Sequence, residues 1–244
     1  MDTDLWVALP GDAKTSKAHR VLYLLHPLGG DAASWMRWTS VERYAEEYSV
    51  AVICPEVQRS FYTDMARGPR YFSYLTDELP GMVEKLFGLK PKREDTFVSG
   101  CSMGGYGSLK AALRRPDLYG SCACLSGAYD LDMVKTLAIP TPGGLRDMMA
   151  VLGDGMEVTP QNDLPTLAQG LAKARVRPRI LMCCGEGGFL VGANRRMYKE
   201  LEDLGYDVRY RAWSGGHDWL FWDQALPVTF DFFDGKEPPE KLYT

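Results

Sequence analysis

One serine of the chain lies in a sequence pattern that makes its hydroxyl a candidate nucleophile. Ser102 is the centre of residues 100–104, Gly-Cys-Ser-Met-Gly, the only Gly-x-Ser-x-Gly match in the 244 residues. In this pattern the serine occupies a sharp turn from a strand to a helix, and the glycines let strand and helix approach closely. The N–H groups at the start of the helix then face a bound carbonyl oxygen. The pattern therefore predicts attack by Ser102 on a carbonyl carbon.

The residues around this motif predict the strand and the helix that the turn requires. Residues 96–98, Thr-Phe-Val, are β-branched and aromatic, whereas residues 108–115 are strong helix formers that stop before Pro116. A glycine-rich loop that carries a serine by chance would not show both flanks. We therefore place Ser102 between a buried strand and a helix.

A serine hydroxyl is a poor nucleophile until a base takes its proton. The chain has three histidines, His19, His26 and His217. In sites built on this turn the partners follow in the order serine, acid, histidine, and only His217 comes after Ser102. It stands in a glycine-containing loop directly after a predicted strand, so we predict that His217 is the general base and acid. His26 ends an earlier predicted strand, where we expect a structural role.

The negatively charged oxygen that forms during acyl transfer needs two N–H donors. The first is predicted to be the backbone N–H of Met103, the residue after the serine. The second is predicted to be that of Leu28, in the loop after the strand at residues 21–26. Pro27 has no N–H of its own, but it leaves that of Leu28 in place and stiffens the turn.

Elsewhere the chain alternates between short apolar runs typical of buried strands and segments typical of helices. This alternation predicts an α/β fold with a mostly parallel central sheet, helices on both faces, and a site at the carboxyl ends of the strands. Residues 130–161, rich in Gly, Pro and Met, are predicted to form a small cap of short helices and loops. Neither a repeat nor a linker is visible, so residues 1–244 are predicted to form one domain. The predicted strands are 5–10, 21–26, 50–54, 96–98, 119–125, 179–184 and 207–213.

The composition limits the partners of the chain. A net charge of −4 and a pI near 5.5 argue against nucleic acid or an anionic membrane as the main partner. No segment approaches the roughly 18 apolar residues that cross a bilayer, and no signal peptide is visible. The six cysteines lie in or beside predicted strands without a metal-ligand spacing. We therefore expect a cytoplasmic protein with buried thiols and no metal; homo-oligomerisation stays open.

Several motifs besides the serine turn are shared with a known family. They are residues 25–31 (Leu-His-Pro-Leu-Gly-Gly-Asp), 62–64, 77–80, 184–186 and 216–219 (Gly-His-Asp-Trp). With residues 100–107 they resemble the esterase D branch of the α/β-hydrolases, and within it most closely the tributyrin-esterase-type carboxylesterases. S-formylglutathione hydrolases and feruloyl and acetylxylan esterases are more distantly similar. The resemblance covers about residues 5–233 and implies an α/β-hydrolase fold that hydrolyses short-chain acyl esters of small molecules without a cofactor.

The acid partner of His217 is where the chain departs from this family. Its members carry Cys-Gly-x-x-Asp-Phe-Leu where residues 184–190 read Cys-Gly-Glu-Gly-Gly-Phe-Leu, so Gly188 stands at the expected aspartate position. Glu186, two residues earlier in the same loop, is predicted to be the acid. Asp130, just beyond the preceding strand, is an alternative. A Ser–His dyad without an acid is a third, and such a loss costs about 10⁴ in kcat in other serine hydrolases.

The predicted function is therefore that of a serine carboxylesterase in which Ser102 forms an acyl-enzyme. Tyr62 and Trp219 are predicted to shape the substrate pockets. Two other functions stay open from the sequence. One is an acyltransferase that uses the same acyl-enzyme, and the other is a non-catalytic binding protein with this fold, which the glycine at position 188 makes a serious alternative.

Overall fold

The computed structural model describes residues 2–11 and 20–239, so that His19 lies outside the described residues. Within these ranges the chain is built on a sheet of seven strands, which are β1 (Leu5–Ala8), β2 (Arg20–Leu25), β3 (Val50–Pro55), β4 (Thr96–Cys101), β5 (Ser121–Leu125), β6 (Arg179–Gly185) and β7 (Val208–Trp213). Their order in the sheet is β1-β3-β2-β4-β5-β6-β7. β1 pairs antiparallel with β3, and all other neighbours pair in parallel, which confirms the mostly parallel sheet.

Helices follow most of the strands. They are α1 (Ser34–Trp38), α2 (Val41–Glu47), α3 (Tyr71–Ser73), α4 (Leu79–Phe87), α5 (Met103–Arg114), α6 (Leu131–Ala138), α7 (Gly144–Leu152), α8 (Leu164–Leu171), α9 (Val191–Asp203) and α10 (Trp219–Phe233). A π-helical turn at Tyr74–Glu78 joins α3 to α4, and a 3₁₀ turn at Arg93–Asp95 precedes β4.

The central strands are buried on both faces, and this explains why their sequences are continuous apolar runs. In β2, Val21, Tyr23 and Leu25 pack on one face and Leu22 and Leu24 on the other, and all five are buried. The first face is covered by α3, α4, α5, α8 and α9, and the second by α1, α2 and α10. The prediction of helices on both faces is therefore confirmed.

The segment 130–161, predicted as a cap of short helices and loops, contains α6 and α7. The turn before α7 has Gly143 at φ +80°, a backbone conformation that glycine adopts without strain. Val134 of α6 and Met148 and Val151 of α7 are buried against the same core as the first face of the sheet. The segment is thus an integral layer of the fold.

The described residues also show where the cysteines lie. All six are buried, and none of them forms a disulfide bond. Burial raises the pKa of Cys184 to about 11 and raises that of Cys54 and Cys183 further.

No group of three or more His, Cys, Asp or Glu side chains within residues 2–11 and 20–239 is arranged to hold a metal ion. No helix in those ranges is long and apolar enough to cross a membrane.

The turn that carries Ser102 depends on direct contact between backbones. A Cβ added to Gly100 would lie 2.7 Å from the main chain of Gly104 and from the side chain of Leu25. A Cβ added to Gly104 would overlap the carbonyl group of Leu25. Real side chains do not approach backbone atoms so closely, so β2, β4 and α5 can meet here only if both positions are glycine.

This contact predicts a large loss of stability for Gly104→Ala. The added methyl group has to displace the β2 backbone, which we expect to lower the free energy of unfolding by about 3 kcal/mol or more. Gly81→Ala is the control, because a Cβ at that exposed position of α4 meets open space and should raise stability by about 0.5–1 kcal/mol. Urea unfolding followed by circular dichroism measures both. Equal midpoints for the two variants would contradict the prediction.

Candidate active site

Ser102 lies between β4 and α5 in a strained backbone conformation. Its φ is 55° and its ψ is −115°, a region that costs a non-glycine residue about 1–3 kcal/mol. Neighbouring backbone hydrogen bonds hold it there. The Ser102 N–H donates to Leu125 O at 2.9 Å, and Ser102 O accepts from the N–H groups of Tyr106 and Ala128, each at 3.1 Å. The hydroxyl is therefore held at the carboxyl edge of the sheet.

His217 follows β7 at the same edge and contacts the serine directly. Its Nε2 lies 3.0 Å from Ser102 Oγ, a hydrogen-bonding distance. The loop that carries it is fixed at its far end by Asp218, whose carboxylate caps α10 by accepting from the Phe221 N–H at 3.0 Å. The structure thus brings together the serine and the histidine that were predicted from the sequence, although 115 positions separate them.

The other ring nitrogen of His217 has no hydrogen-bond partner among the described residues. Its Nδ1 is buried and makes no hydrogen bond to any group in the described part of the chain. The ring instead contacts two aromatic side chains. The Phe189 ring centroid lies 4.8 Å away, and Trp222 contacts the ring edge to face at 5.1 Å. Burial lowers the pKa of His217 to about 4, although the nearby charge of Asp218 raises it in part.

The structure does not bring the predicted acid, Glu186, to His217. The Glu186 side chain is exposed to solvent, and its backbone N–H donates to Trp213 O at 2.9 Å. The alternative, Asp130, caps α6 by accepting from the Met133 N–H at 2.9 Å. Position 188, where the resembling family has aspartate, is a glycine and therefore offers no carboxylate. Gly188 is buried beside the His217 loop. Of the three possibilities weighed from the sequence, the arrangement fits the dyad.

His26 fastens the loop that follows β2. Its Nε2 accepts from the Val57 N–H at 3.2 Å, so the proton must sit on Nδ1, which donates to Pro27 O at 2.9 Å. Burial lowers the pKa of His26, which favours this neutral form. The side chain thus ties the loop after β2 to the loop after β3, which agrees with the structural role expected for it.

Two backbone N–H groups lie free beside Ser102. The turn after β2 is closed by the Gly30 N–H, which donates to Pro27 O at 2.9 Å. Among residues 2–11 and 20–239, neither the N–H of Leu28 nor that of Met103 has a hydrogen-bond acceptor. Leu28 and Met103 both line the cavity that contains Ser102. These are the donors predicted for the oxyanion, and each lies at the cavity wall.

Two cavities open on either side of Ser102. One, of about 290 Å³, is lined mainly by apolar side chains of the cap and of the loops around Ser102, Phe189 among them, and Arg59, paired with Asp147 at 2.5 Å, stands at its wall. The other, of about 610 Å³, lies beyond His217. Its walls carry three tryptophans, Trp38, Trp219 and Trp222.

The structure places the two predicted pocket residues differently. Trp219, which was predicted to shape a substrate pocket, lines the larger cavity. Tyr62 lines neither of the two cavities, contrary to the prediction, because it is fully buried under α5 against Gly107. Its hydroxyl donates to His26 O at 3.0 Å, and its backbone carbonyl accepts from Lys110 Nζ at 2.9 Å. Tyr62 therefore supports the loop after β2 from below.

Sequence reasoning missed the two residues that hold the His217 ring. Trp222 follows Trp219 by three positions on α10, and residues at this spacing share one face of a helix. That spacing, directly after His217, is the signal that would have found it. Phe189 stands next to the position of the missing acid, and only the fold shows that its ring meets the imidazole.

The sheet order and this serine–histidine pair define an α/β-hydrolase, and comparison with known proteins identifies the family. The profile of the esterase family, described as "Putative esterase", matches residues 1–233, and the chain belongs to this family. It is 31% identical to an acetyl esterase of Caldicellulosiruptor saccharolyticus over 223 residues, which are 87% of this chain and 82% of that protein.

Solved structures agree with this assignment. Fluorophosphonate-binding serine hydrolase F of Staphylococcus aureus superposes with a TM-score of 0.87 at 32% identity, covering 96% of this chain and 92% of that one. An S-formylglutathione hydrolase of the same organism gives 0.84 at 32% identity, covering 96% and 93%. The chain is therefore a carboxylic ester hydrolase of the serine hydrolase class, and the non-catalytic alternative does not hold.

The position of the carboxylates predicts that neither candidate acid matters for turnover. Glu186→Ala and Asp130→Ala should each change kcat for p-nitrophenyl butyrate by less than about twofold, because neither side chain touches His217. Initial rates on purified variants, normalised to folded protein by circular dichroism, provide the measurement. A loss of about 10³ or more in either variant would identify that residue as the acid.

Proposed function

We propose that the protein hydrolyses short-chain acyl esters of small molecules through an acyl-enzyme on Ser102. The observation that carries this proposal is the 3.0 Å contact between Ser102 Oγ and His217 Nε2 at the junction of two cavities. His217 takes the serine proton as Oγ attacks the ester carbonyl, and then passes it to the departing alcohol. Water, activated by the same imidazole, releases the acid.

The tetrahedral oxyanion is held by the N–H groups of Leu28 and Met103. Each lies free at the cavity wall, one on the loop after β2 and the other at the start of α5. A fixed donor of this kind is worth about 2.7–4 kcal/mol of transition-state stabilisation. Because both donors belong to the backbone, their positions follow from the fold and not from a side-chain rotamer.

The apolar cavity receives the acyl group and the tryptophan-lined cavity receives the alcohol. The first has a volume of about 290 Å³, near the lower limit of small-molecule sites, which run from about 300 to 1,000 Å³. Its apolar walls suit a short alkyl chain such as acetyl or butyryl. The similarity to an acetyl esterase and the resemblance to tributyrin esterases support the same size range.

Without an acid the site works at a reduced rate. For Nε2 to accept the serine proton, the imidazole must carry its other proton on Nδ1, and that N–H has no acceptor within the described residues. A buried unpaired donor costs about 1–3 kcal/mol, so the reactive tautomer is not favoured. We therefore expect turnover well below that of esterases with a complete triad, yet above the rate in water.

Removing the serine hydroxyl tests the proposal. Ser102→Ala should lower the hydrolysis of p-nitrophenyl acetate and butyrate by about 10³-fold or more, because no covalent intermediate can form. A fluorophosphonate probe should add its mass to the peptide that contains Ser102 in the wild type and not in the variant. Ser126→Ala is the matched control, since this buried serine directly follows the neighbouring strand β5. Equal rates in wild type and Ser102→Ala would refute the proposal.

The environment of His217 predicts an unusual pH dependence. The base is active when neutral, and its pKa is lowered to about 4, so kcat/KM should stay constant from pH 7 to pH 5.5 and fall to half near pH 4. A histidine with an ordinary pKa of about 6.5 would lose about tenfold by pH 5.5. Chromatographic measurement of the alcohol released from an ethyl or butyl ester gives this profile. An acidic limb near pH 6.5 would show that the imidazole is more solvated than in this structure.

A further inference from the structure

The His217 ring is held in place although no carboxylate within residues 2–11 and 20–239 orients it. In a Ser-His-Asp triad, the acid fixes both the tautomer and the direction of the imidazole. Here Nδ1 is buried without a partner in the described residues, and yet Nε2 lies 3.0 Å from Ser102 Oγ. Some other contact must therefore set the orientation of the ring.

The contacts that remain are aromatic. Trp222 is buried and meets the His217 ring at an interplanar angle of 86°, which forms a rigid wall on one side. Trp219 packs on Trp222 at 5.1 Å and 86°, so this wall is itself supported. Phe189 contacts the imidazole at 4.8 Å with an interplanar angle of 57°. Two aromatic rings, one of them supported by a third, therefore contact the imidazole.

Phe189 is not placed there by core packing. Its side chain is 67% exposed and lines the apolar cavity beside Ser102, so burial in the core does not hold it. The loop that carries it is fastened to the loop of His217 by backbone hydrogen bonds. Glu186 N–H donates to Trp213 O at 2.9 Å, and Gly187 N–H donates to Gly215 O at 3.0 Å. The two loops are thus joined, and Phe189 keeps its place relative to the imidazole.

We propose that Phe189 is a positioning residue that, together with Trp222, fixes the direction of the His217 ring by packing, as the carboxylate of a triad does by hydrogen bonding. The inference rests on the proposed function, in which His217 is the base. Packing fixes the direction of the ring, but it neither selects the tautomer nor stabilises the imidazolium. A carboxylate added at the right place should therefore make Phe189 dispensable.

Position 188 is where that carboxylate can be added. Gly188 has a backbone that accepts a side chain, with no φ in the left-handed region. A Cβ there would lie 3.1 Å from Gly185 O and 3.9 Å from the carbonyl carbon of Gly216, the residue before His217. Gly188→Asp thus places a carboxylate beside the His217 loop at the cost of a small shift in one carbonyl group.

The decisive experiment compares Phe189→Leu with Phe189→Tyr, using p-nitrophenyl acetate so that the acyl cavity is not filled. Loss of the ring should lower kcat by about fivefold to tenfold and slow fluorophosphonate labelling of Ser102 by the same factor. The tyrosine variant keeps the ring and should stay within about twofold. Phe87→Leu, the same change at a partly exposed position of α4, controls for the general effect of the substitution.

The same pair is then made with Gly188→Asp. We expect the aspartate to raise kcat by about tenfold or more and to move the acidic limb of kcat/KM upward from pH 4, because a carboxylate stabilises the imidazolium. In that background Phe189→Leu should cost less than about twofold. If Phe189→Leu and Phe189→Tyr have the same kcat in the original background, the inference falls, whereas the proposed function falls only if Ser102→Ala keeps its activity.

Discussion

The contact between the backbone of Gly104 and the carbonyl group of Leu25 constrains the whole site. It brings the start of α5 against the end of β2, and both proposed oxyanion donors lie next to it. Met103 immediately precedes Gly104, and Leu28 follows Leu25 by three residues in a loop that His26 fastens to the chain beyond β3. One close approach between a strand and a helix therefore fixes the distance between two N–H groups that belong to distant parts of the sequence. The strained turn at Ser102 is a consequence of the same geometry.

The histidine is held in place by a different kind of contact. Whereas the serine is held by backbone contacts, the imidazole is held by side-chain rings, one buried and one exposed. Hydrogen bonds to a carboxylate act on the charge and the tautomer of a ring, but packing acts only on its direction. A site of this kind places its serine and histidine as a triad does, but it lacks the carboxylate charge that stabilises the imidazolium. The lowered pKa of His217 reflects this, because burial opposes the imidazolium and only the charge of Asp218 partly offsets it.

The fold and the pair Ser102–His217 could be predicted because local sequence carries them. Continuous apolar runs give the parallel strands, and the small residues around the serine are required wherever strand and helix touch. The acid could not be placed in this way, because its position depends on where loops after two different strands meet. Glu186 lies in a loop that is hydrogen-bonded to the loop of His217, but its side chain is exposed to solvent. The role proposed for Phe189 depends on the contacts between these loops, which follow β6 and β7. The burial of Tyr62 could not be predicted either, because an aromatic residue in a long loop gives no sign of being buried under a helix.

The buried cysteines bear on how the molecule responds to damage. Oxidants and alkylating reagents attack the thiolate, and the raised pKa values keep Cys54, Cys183 and Cys184 protonated at neutral pH. The intact fold thus shields its sulfur atoms. Once the chain opens, six thiols become available together, two of them on adjacent residues, and a disulfide such as one between Cys54 of β3 and Cys183 of β6 is incompatible with a sheet in which three other strands separate these two. Denaturation in an oxidising medium is therefore expected to be a one-way process, while a reducing medium allows the chain to return.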